Sequence, residues 1–367
     1  MVVEETGSSS RVGVGILGVT GYAGAEALRL LLGHPRARLV AAAARQQAGQ
    51  PLAVALPGLA APELILDGLT AAGAGDLATP AAWRARGVEV VFACLPHGVL
   101  ASQATDWLAA GLRLIDLSAD FRLRDPAAYP VHYQLEHPAP ALLAQARYGL
   151  GEWQPAPLTG VRLIASPGCY ATAILLAALP AAAAGWLDPT APILITAMSG
   201  ITGAGRGASL QGQLAELSGN IVPYKVGEAH AHLGEIRQAL AEVGCRAPVL
   251  LSPHLVPMAR GLTAHLSLSL ASPRQVTAAQ ALYAERYAEA PWVQVLPPSQ
   301  LPEVRYVRGS NRCDLAVRTV ADGRVLQIYA ALDNLIKGAA GQAIQSWNRS
   351  QGWAETLGLP MGAWPCS

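Results

Sequence analysis

The sequence predicts an α/β chain in two parts: a parallel sheet with helices on both faces, then an α+β unit on a more antiparallel sheet. Three observations carry this. Short apolar runs alternate with helical stretches through the first half. A glycine-dense turn joins the first run to the first helix. Past Cys169 the runs lengthen and take polar interruptions, as strands with one solvated face do.

The elements follow in order. "MVVEETGSSSR" is acidic and polar, without the apolar core of a secretory signal or the basic character of a transit peptide, and reads as a short disordered tail. "RVGVGILG" is the first strand and "AEALRLLLGHP" the amphipathic helix after it. "ARLVAAAAR", "VEVVFACLP" and "LRLIDLS" are further buried strands, with "GVLASQATDWLAAG" a helix between the last two. "APILITAMSG", "PVLLSPHLVPM", "LTAHLSLSLAS" and "GRVLQIYAAL" are strands of the second sheet, and "LDNLIKGAAGQAIQSWN" returns to helical spacing. The most apolar window, 171–187, is broken by Pro180 and Gly185. It falls short of the roughly 20 residues that a membrane span needs.

A length of 367 residues suits two ordinary domains. The net charge is +1 with Lys and Arg scattered, so nothing marks a nucleic-acid or anionic-membrane surface. Five cysteines without framework spacing point to free thiols in a reducing compartment and to a soluble, cytoplasmic protein.

The loop "GVTGYAG" places Gly18, Gly21 and Gly24 three apart between strand and helix, with Thr20, Tyr22 and Ala23 among them. Such glycines permit a tight turn and close approach to a pyrophosphate on the helix N-terminus, the Rossmann-type arrangement; plain turns use glycine too. Gly13-x-Gly15-x-x-Gly18 also fits the fingerprint but lies within the strand, and is discounted. The second strand ends in "AAAARQQAG", with Arg45 and no nearby acid. A cation there suits a 2′-phosphate and favours NADP(H) over NAD(H); the alternative is a solvated strand-end arginine.

"ASPGCYATA" puts Cys169 where a loop opens into an apolar helix. The first helical turn carries unpaired N–H groups and partial positive charge, so a thiol there is expected to ionise more readily. "SGITGAGRG" is a second glycine-rich turn able to hold an anion, "GEAHAHLGEI" supplies His230, His232 and Glu235, and "DLSADFRLRD" offers Ser118 and Arg122 past a strand end. The histidine pair with Glu235 lacks a third ligand at metal spacing, and no metal is expected. Cys94 is a rival thiol that reads as packed or cofactor-side, and Cys245, Cys313 and Cys366 read as structural. His34, His132, His137, His254 and His265 read as packing or surface residues.

In order along the chain, "GVTGYAGAE", "LPHG", "DLSADFRLRD", "SPGCYAT", "SGITGAGR", "HAHLGEI", "PHLVPMARG", "GSNRCD" and "DNLIKGAAGQAIQ" resemble the N-acetyl-γ-glutamyl-phosphate reductases of arginine biosynthesis. These share fold and mechanism with aspartate-semialdehyde dehydrogenases. The resemblance implies an NADP(H)-binding domain over 1–167, completed by 333–367 through a C-terminal helix that returns to it. It implies a catalytic and oligomerisation domain over 168–332, and a homotetramer.

Cys169 matches the family's nucleophile and His230 its acid/base histidine; His232 and Glu235 match neighbours that orient that histidine or touch substrate. Ser118, Arg122, Ser199 and Arg206 fall in motifs around the substrate's anionic groups, and Arg260 is a further candidate for its carboxylate. Pro96, His97 and Asn334 fall on the cofactor side. Ser166, Ala171, Ala231 and Gly234 depart from common family residues and bear on substrate contacts rather than on the reaction. The carrier-linked aminoadipyl-phosphate reductase of lysine biosynthesis is the nearest alternative, disfavoured by "SPGCY" and "SGITGAGR". A non-catalytic NADPH-binding protein is the alternative of a different class.

Overall fold

The computed structural model describes residues 11–60, 62–69, 77–153, 157–207 and 214–364. Residues 1–10 of the polar tail and Cys366 lie outside them.

The first sheet holds β1 (Val12–Leu17), β2 (Ala37–Ala44), β3 (Asp67–Gly68), β4 (Val90–Ala93), β5 (Arg113–Asp116), β6 (Arg147–Tyr148) and β7 (Leu163–Ala165). Their order is β3-β2-β1-β4-β5-β7-β6, parallel throughout. Helices cover both faces, which is why these strands read as continuous apolar runs rather than alternating ones. β3, β6 and β7 escaped the sequence reading because two or three residues carry no periodicity.

The second sheet holds β8 (Ile193–Ser199), β9 (Val222–Pro223), β10 (Val249–Leu255), β11 (Leu262–Ser269), β12 (Val293–Val295), β13 (Cys313–Val320) and β14 (Val325–Leu332). The order β12-β13-β14-β11-β8-β10-β9 is mixed, antiparallel through β13-β14-β11-β8 and parallel at β8–β10 and β12–β13. β8 and β10 alternate strictly, turning Ile193, Ile195 and Leu251 inward and Leu194, Met198 and Leu250 outward. β13 was not foreseen as a strand: its first five residues are all buried, so the alternation that marks its neighbours is missing.

The helix Cys169–Ala183 packs on the second sheet and is buried from Tyr170 to Ala182. It runs through Pro180 rather than stopping there. Proline has no N–H for the carbonyl four residues back, and the Tyr287 hydroxyl donates to that Leu176 oxygen at 2.6 Å instead. Tyr287→Phe orphans the carbonyl, and the expected loss is about 1–3 kcal/mol. It is read as a lower urea midpoint at unchanged slope.

After β14 a π-turn, Ile336–Ala340, leads into the helix Gly341–Ser350. Ile336, Ile344 and Trp347 join Val14, Ile16 and Phe92 in one apolar cluster, so the chain end returns to the first sheet as expected. The tail beyond packs too: Trp353 lies edge-on to Trp347 at 5.1 Å, and Trp364 lies 4.8 Å under the Arg260 guanidinium. Among the described residues no helix is long and apolar enough to cross a membrane.

Candidate active site

The glycine loop is built as a cradle. Gly18 takes φ +77°, a conformation that favours glycine. A Cβ at Gly24 would strike the Gly18 carbonyl, so the helix can start only this close to the strand without one. Gly21 caps the helix Tyr22–Leu32, whose first turn has no acidic side chain to occupy its N–H groups; the positive end is left for an anion. Thr20 Oγ1 donates to Gln47 Oε1 at 3.1 Å, tying the loop to the end of β2, where Arg45 is exposed. Tyr22 and Ala23 are half-buried beside it. Gly13 and Gly15 instead make room inside β1 for the Gly87 carbonyl and the Trp83 ring.

Cys169 is the first residue of its helix, capped by Gly168, and part of its surface stays open to solvent. Two backbone-only neighbours shape its surroundings. The His232 ring lies where a Cβ on Gly168 would be, and a Cβ on Gly338 of the π-turn would strike Cys169 Cβ. Glu235, fully buried, holds the helix mouth: its Oε2 accepts from Gly168 N at 3.0 Å and from Tyr148 OH at 2.9 Å, and its Oε1 pairs with Arg122 Nη1 at 2.9 Å.

His230 is buried, edge-on to Tyr170 (5.3 Å) and Tyr224 (5.8 Å), with its ring centre 4.7 Å from that of His232. The His232 backbone N–H donates to His230 Nδ1 at 3.2 Å, so the neutral ring carries its proton on Nε2. Burial first, then the His232 and Lys225 charges, pull His230 down to about 3. His232 is also held well below its ordinary value, by burial and by Arg122, His97 and Lys225.

Burial pushes the Cys169 thiol up to about 11, against the opposing pull of the Tyr170 N–H and Arg122. This differs from the expectation of a thiol that ionises readily at a helix start: desolvation outweighs the helix end, and the same burial favours the neutral form of both neighbouring rings. Below its pKa the thiolate fraction grows about tenfold per pH unit, and the thiolate is the nucleophile. Iodoacetamide labelling of Cys169 in the dinucleotide-free protein is therefore expected to climb with that slope from pH 7 to 10. A plateau below pH 8 would show that the helix end and Arg122 prevail.

Several residues assigned to substrate contact have other engagements. Arg122 is buried, with Nε on Ser166 O (2.8 Å), Nη2 on Leu117 O (3.1 Å) and Nη1 on Glu235. Arg260 is clamped between Asp333 (2.7 Å) and Glu26 (2.9 Å), joining the end of β14 to the first helix, and its Nη2 is left without a partner among the described residues. Asn334 bridges Gly261 N and Thr202 Oγ1. Ser118 and Ser199 are buried, the first accepting from Asp120 N and the second donating to Gly200 O.

Arg206 is exposed, its guanidinium 5.2 Å over the Tyr22 ring, so the second glycine turn meets the first. Pro96 and His97 are exposed past β4; His97 Nδ1 accepts from Ala119 N at 3.1 Å.

Three contributors were missed. Tyr148 carries no sequence signal. Gly338 lies in a quoted motif but without a stated role. Lys225, exposed at φ +45°, stands five residues before His230 and brings its charge to both site histidines. Among the described residues no three His, Cys, Asp or Glu side chains gather to hold a metal ion.

The chain matches two family models. One is described as semialdehyde dehydrogenase, NAD binding domain, over 13–161; the other as semialdehyde dehydrogenase, dimerisation domain, over 169–334. It is 43% identical over 348 residues to an N-acetyl-γ-glutamyl-phosphate reductase from Symbiobacterium thermophilum, covering 94% of this chain and 97% of that one. It is also 43% identical to the reductase of that name from Pseudomonas savastanoi, covering 95% and 98%. An aspartate semialdehyde dehydrogenase structure from Vibrio cholerae shares the fold, with a TM-score of 0.69 at 15% identity over 93% of this chain and 98% of that one. Near-full-length identity of this size, on a chain with a thiol at a capped helix mouth and a glycine cradle beside the first sheet, places the protein in the N-acetyl-γ-glutamyl-phosphate reductase family.

Proposed function

We propose that this chain reduces N-acetyl-γ-glutamyl phosphate to N-acetylglutamate 5-semialdehyde and phosphate with NADPH, in arginine biosynthesis. The observation that carries the reading is the construction at Cys169: a partly exposed cysteine at a helix mouth that Glu235 pins through Gly168 N–H and the His230–His232 pair borders.

In this reading Gly18, Gly21, Gly24 and the following helix N-terminus hold the pyrophosphate, with Thr20, Tyr22 and Ala23 lining the cradle and Arg45 beside the 2′-phosphate. Residues 1–167 with 333–367 form the cofactor-binding domain and 168–332 the catalytic one. NADPH, when bound, supplies the hydride that reduces the acyl group.

Cys169 sulphur attacks the acyl carbon of the substrate, and the C–O bond to phosphate breaks. The thiol proton goes to the departing phosphate oxygen, leaving a thioester on the sulphur. His230 Nε2–H donates to the acyl oxygen and stabilises the charge that develops there in each tetrahedral stage. When the thiohemiacetal collapses, the aldehyde leaves and the sulphur takes back a proton through His230 from solvent. A thiol at about 11 holds that proton firmly at neutral pH.

Glu235 and Arg122 act as positioning residues, through the Gly168 N–H. Lys225 and Arg206, both exposed and neither ion-paired among the described residues, join Arg45 as cations open to substrate or cofactor anions.

The outward Leu194, Met198 and Leu250 of the second sheet (48%, 37% and 51% exposed) support a homo-oligomer built on that face. Four free cysteines among the described residues support a reducing, cytoplasmic setting.

The test runs the reaction backward: NADP⁺ reduction with N-acetylglutamate semialdehyde, with and without phosphate. Phosphate-dependent reduction is expected. None by folded protein would overturn the reading in favour of the carrier-linked substrate.

A further inference from the structure

We propose that the chain carries a second small-molecule site, for an amphipathic monoanion with an aryl or alkyl body, in the cavity behind the cysteine helix mouth. The cavity measures about 470 Å³ and lies between the loop after β5, the stretch from Pro140 to Trp153, and the far halves of two helices. That volume is within the ~300–1,000 Å³ typical of ligand pockets.

It is separate from the reaction centre. The cysteine helix contributes Leu179 to the wall, ten residues past Cys169 and so about 15 Å along the helix axis. The helix His232–Glu242 contributes only its last two turns, through Gln238, Ala239 and Glu242.

The lining states the ligand's chemistry. Phe121, Leu143, Leu150, Trp153 and Leu179 give the lining an apolar body, with the Phe121 and Trp153 rings among them. Charge enters from three arginines. Arg122 is neutralised by Glu235, and Arg124 pairs with Glu242 at 3.1 Å. Arg147 is different: it is exposed and forms no ion pair among the described residues. The hydrogen bonds of its guanidinium among the described residues are long ones, 3.3 Å from Nη1 to the Ala144 and Ala146 carbonyls. One uncompensated guanidinium at the rim of an apolar cavity selects a single negative charge on an apolar body, and its planar fork suits a carboxylate or sulfonate.

The site has a physical route to the chemistry. Tyr148 and Arg122 form part of its wall, and both bond the Glu235 carboxylate that holds Gly168 N–H. A ligand pressing on Tyr148 therefore acts on the residue next to Cys169. Occupancy is expected to change the iodoacetamide labelling rate of Cys169.

The probe is 1-anilinonaphthalene-8-sulfonate, with the uncharged N-phenyl-1-naphthylamine as its neutral counterpart, both titrated by fluorescence with saturating NADPH present to keep the cofactor cleft closed to dye. Saturable one-to-one binding of the sulfonate is expected, at least tenfold tighter than the neutral dye. Arg147→Glu is expected to weaken the sulfonate at least tenfold and leave the neutral dye unchanged. Ala144→Trp, which fills the exposed rim, is expected to weaken both. Neither residue belongs to the catalytic machinery, and a urea midpoint and slope close to those of wild type certify the folding of both variants. Absence of saturable binding, or equal sulfonate affinity in wild type and both variants, would overturn the proposal. Binding that follows this pattern but leaves Cys169 labelling unchanged would overturn the route through Tyr148.

Discussion

Cys169→Ala loses phosphate-dependent NADP⁺ reduction by a factor on the order of 10⁴ or more, the scale seen when a covalent nucleophile is removed. The substitution is clean because the close contact between Gly338 and this residue is made at Cβ, which alanine keeps. Only the sulphur goes, so the helix mouth, its bond to Glu235 and the glycine cradle stay as they are. NADPH affinity, read by fluorescence titration, is expected to be unchanged. Cys94 does not substitute for the lost thiol: burial and the neighbouring Asp116 push it up to about 12. A variant retaining more than a hundredth of wild-type turnover would sink the covalent route and leave direct reduction of the acyl phosphate.

Arg122→Met produces the largest loss of stability. It leaves the Glu235 carboxylate buried without its cation and strips the Ser166 and Leu117 carbonyls of their guanidinium donors. Breaking a buried pair from one side costs about 3–5 kcal/mol. Adding Glu235→Gln is expected to recover part of the loss, because the charge disappears while an amide oxygen still accepts from Tyr148 and Gly168. Arg122→Lys recovers less of the geometry, since an ammonium cannot serve three acceptors set in a plane. Urea denaturation of the single and double variants measures the terms. A single variant within about 1 kcal/mol of wild type would show that the network does not hold the helix mouth.

The same pair bears on how far the chain could be read before its fold was known. Alternating strands and helices, the turn at Gly18 to Gly24 and a cysteine at a helix start are local signals, carried by neighbours a few residues apart. They were legible, and with the ordered motifs they led to the fold class and the family. Short strands without periodicity, such as β6, were not, and neither was the role of Tyr148 within it.

The environment of each charge belongs to the tertiary structure. In sequence Arg122, Arg206 and Arg260 look alike, three cations in glycine- or acid-flanked loops. The partner of Arg122 is 113 residues away and one partner of Arg260 is 234 residues away, whereas Arg206 lies over an aromatic ring and has no ion pair among the described residues. No spacing rule reaches that far. Cys169 divides in the same way: its place at a helix N-terminus follows from Pro-Gly before it and apolar residues after it. Its proton affinity follows from what packs around it, His232 over Gly168 and the π-turn against its Cβ. The residue types and their local order set the backbone; the removal of water, which only the folded chain accomplishes, set which charges face outward and which proton the sulphur keeps.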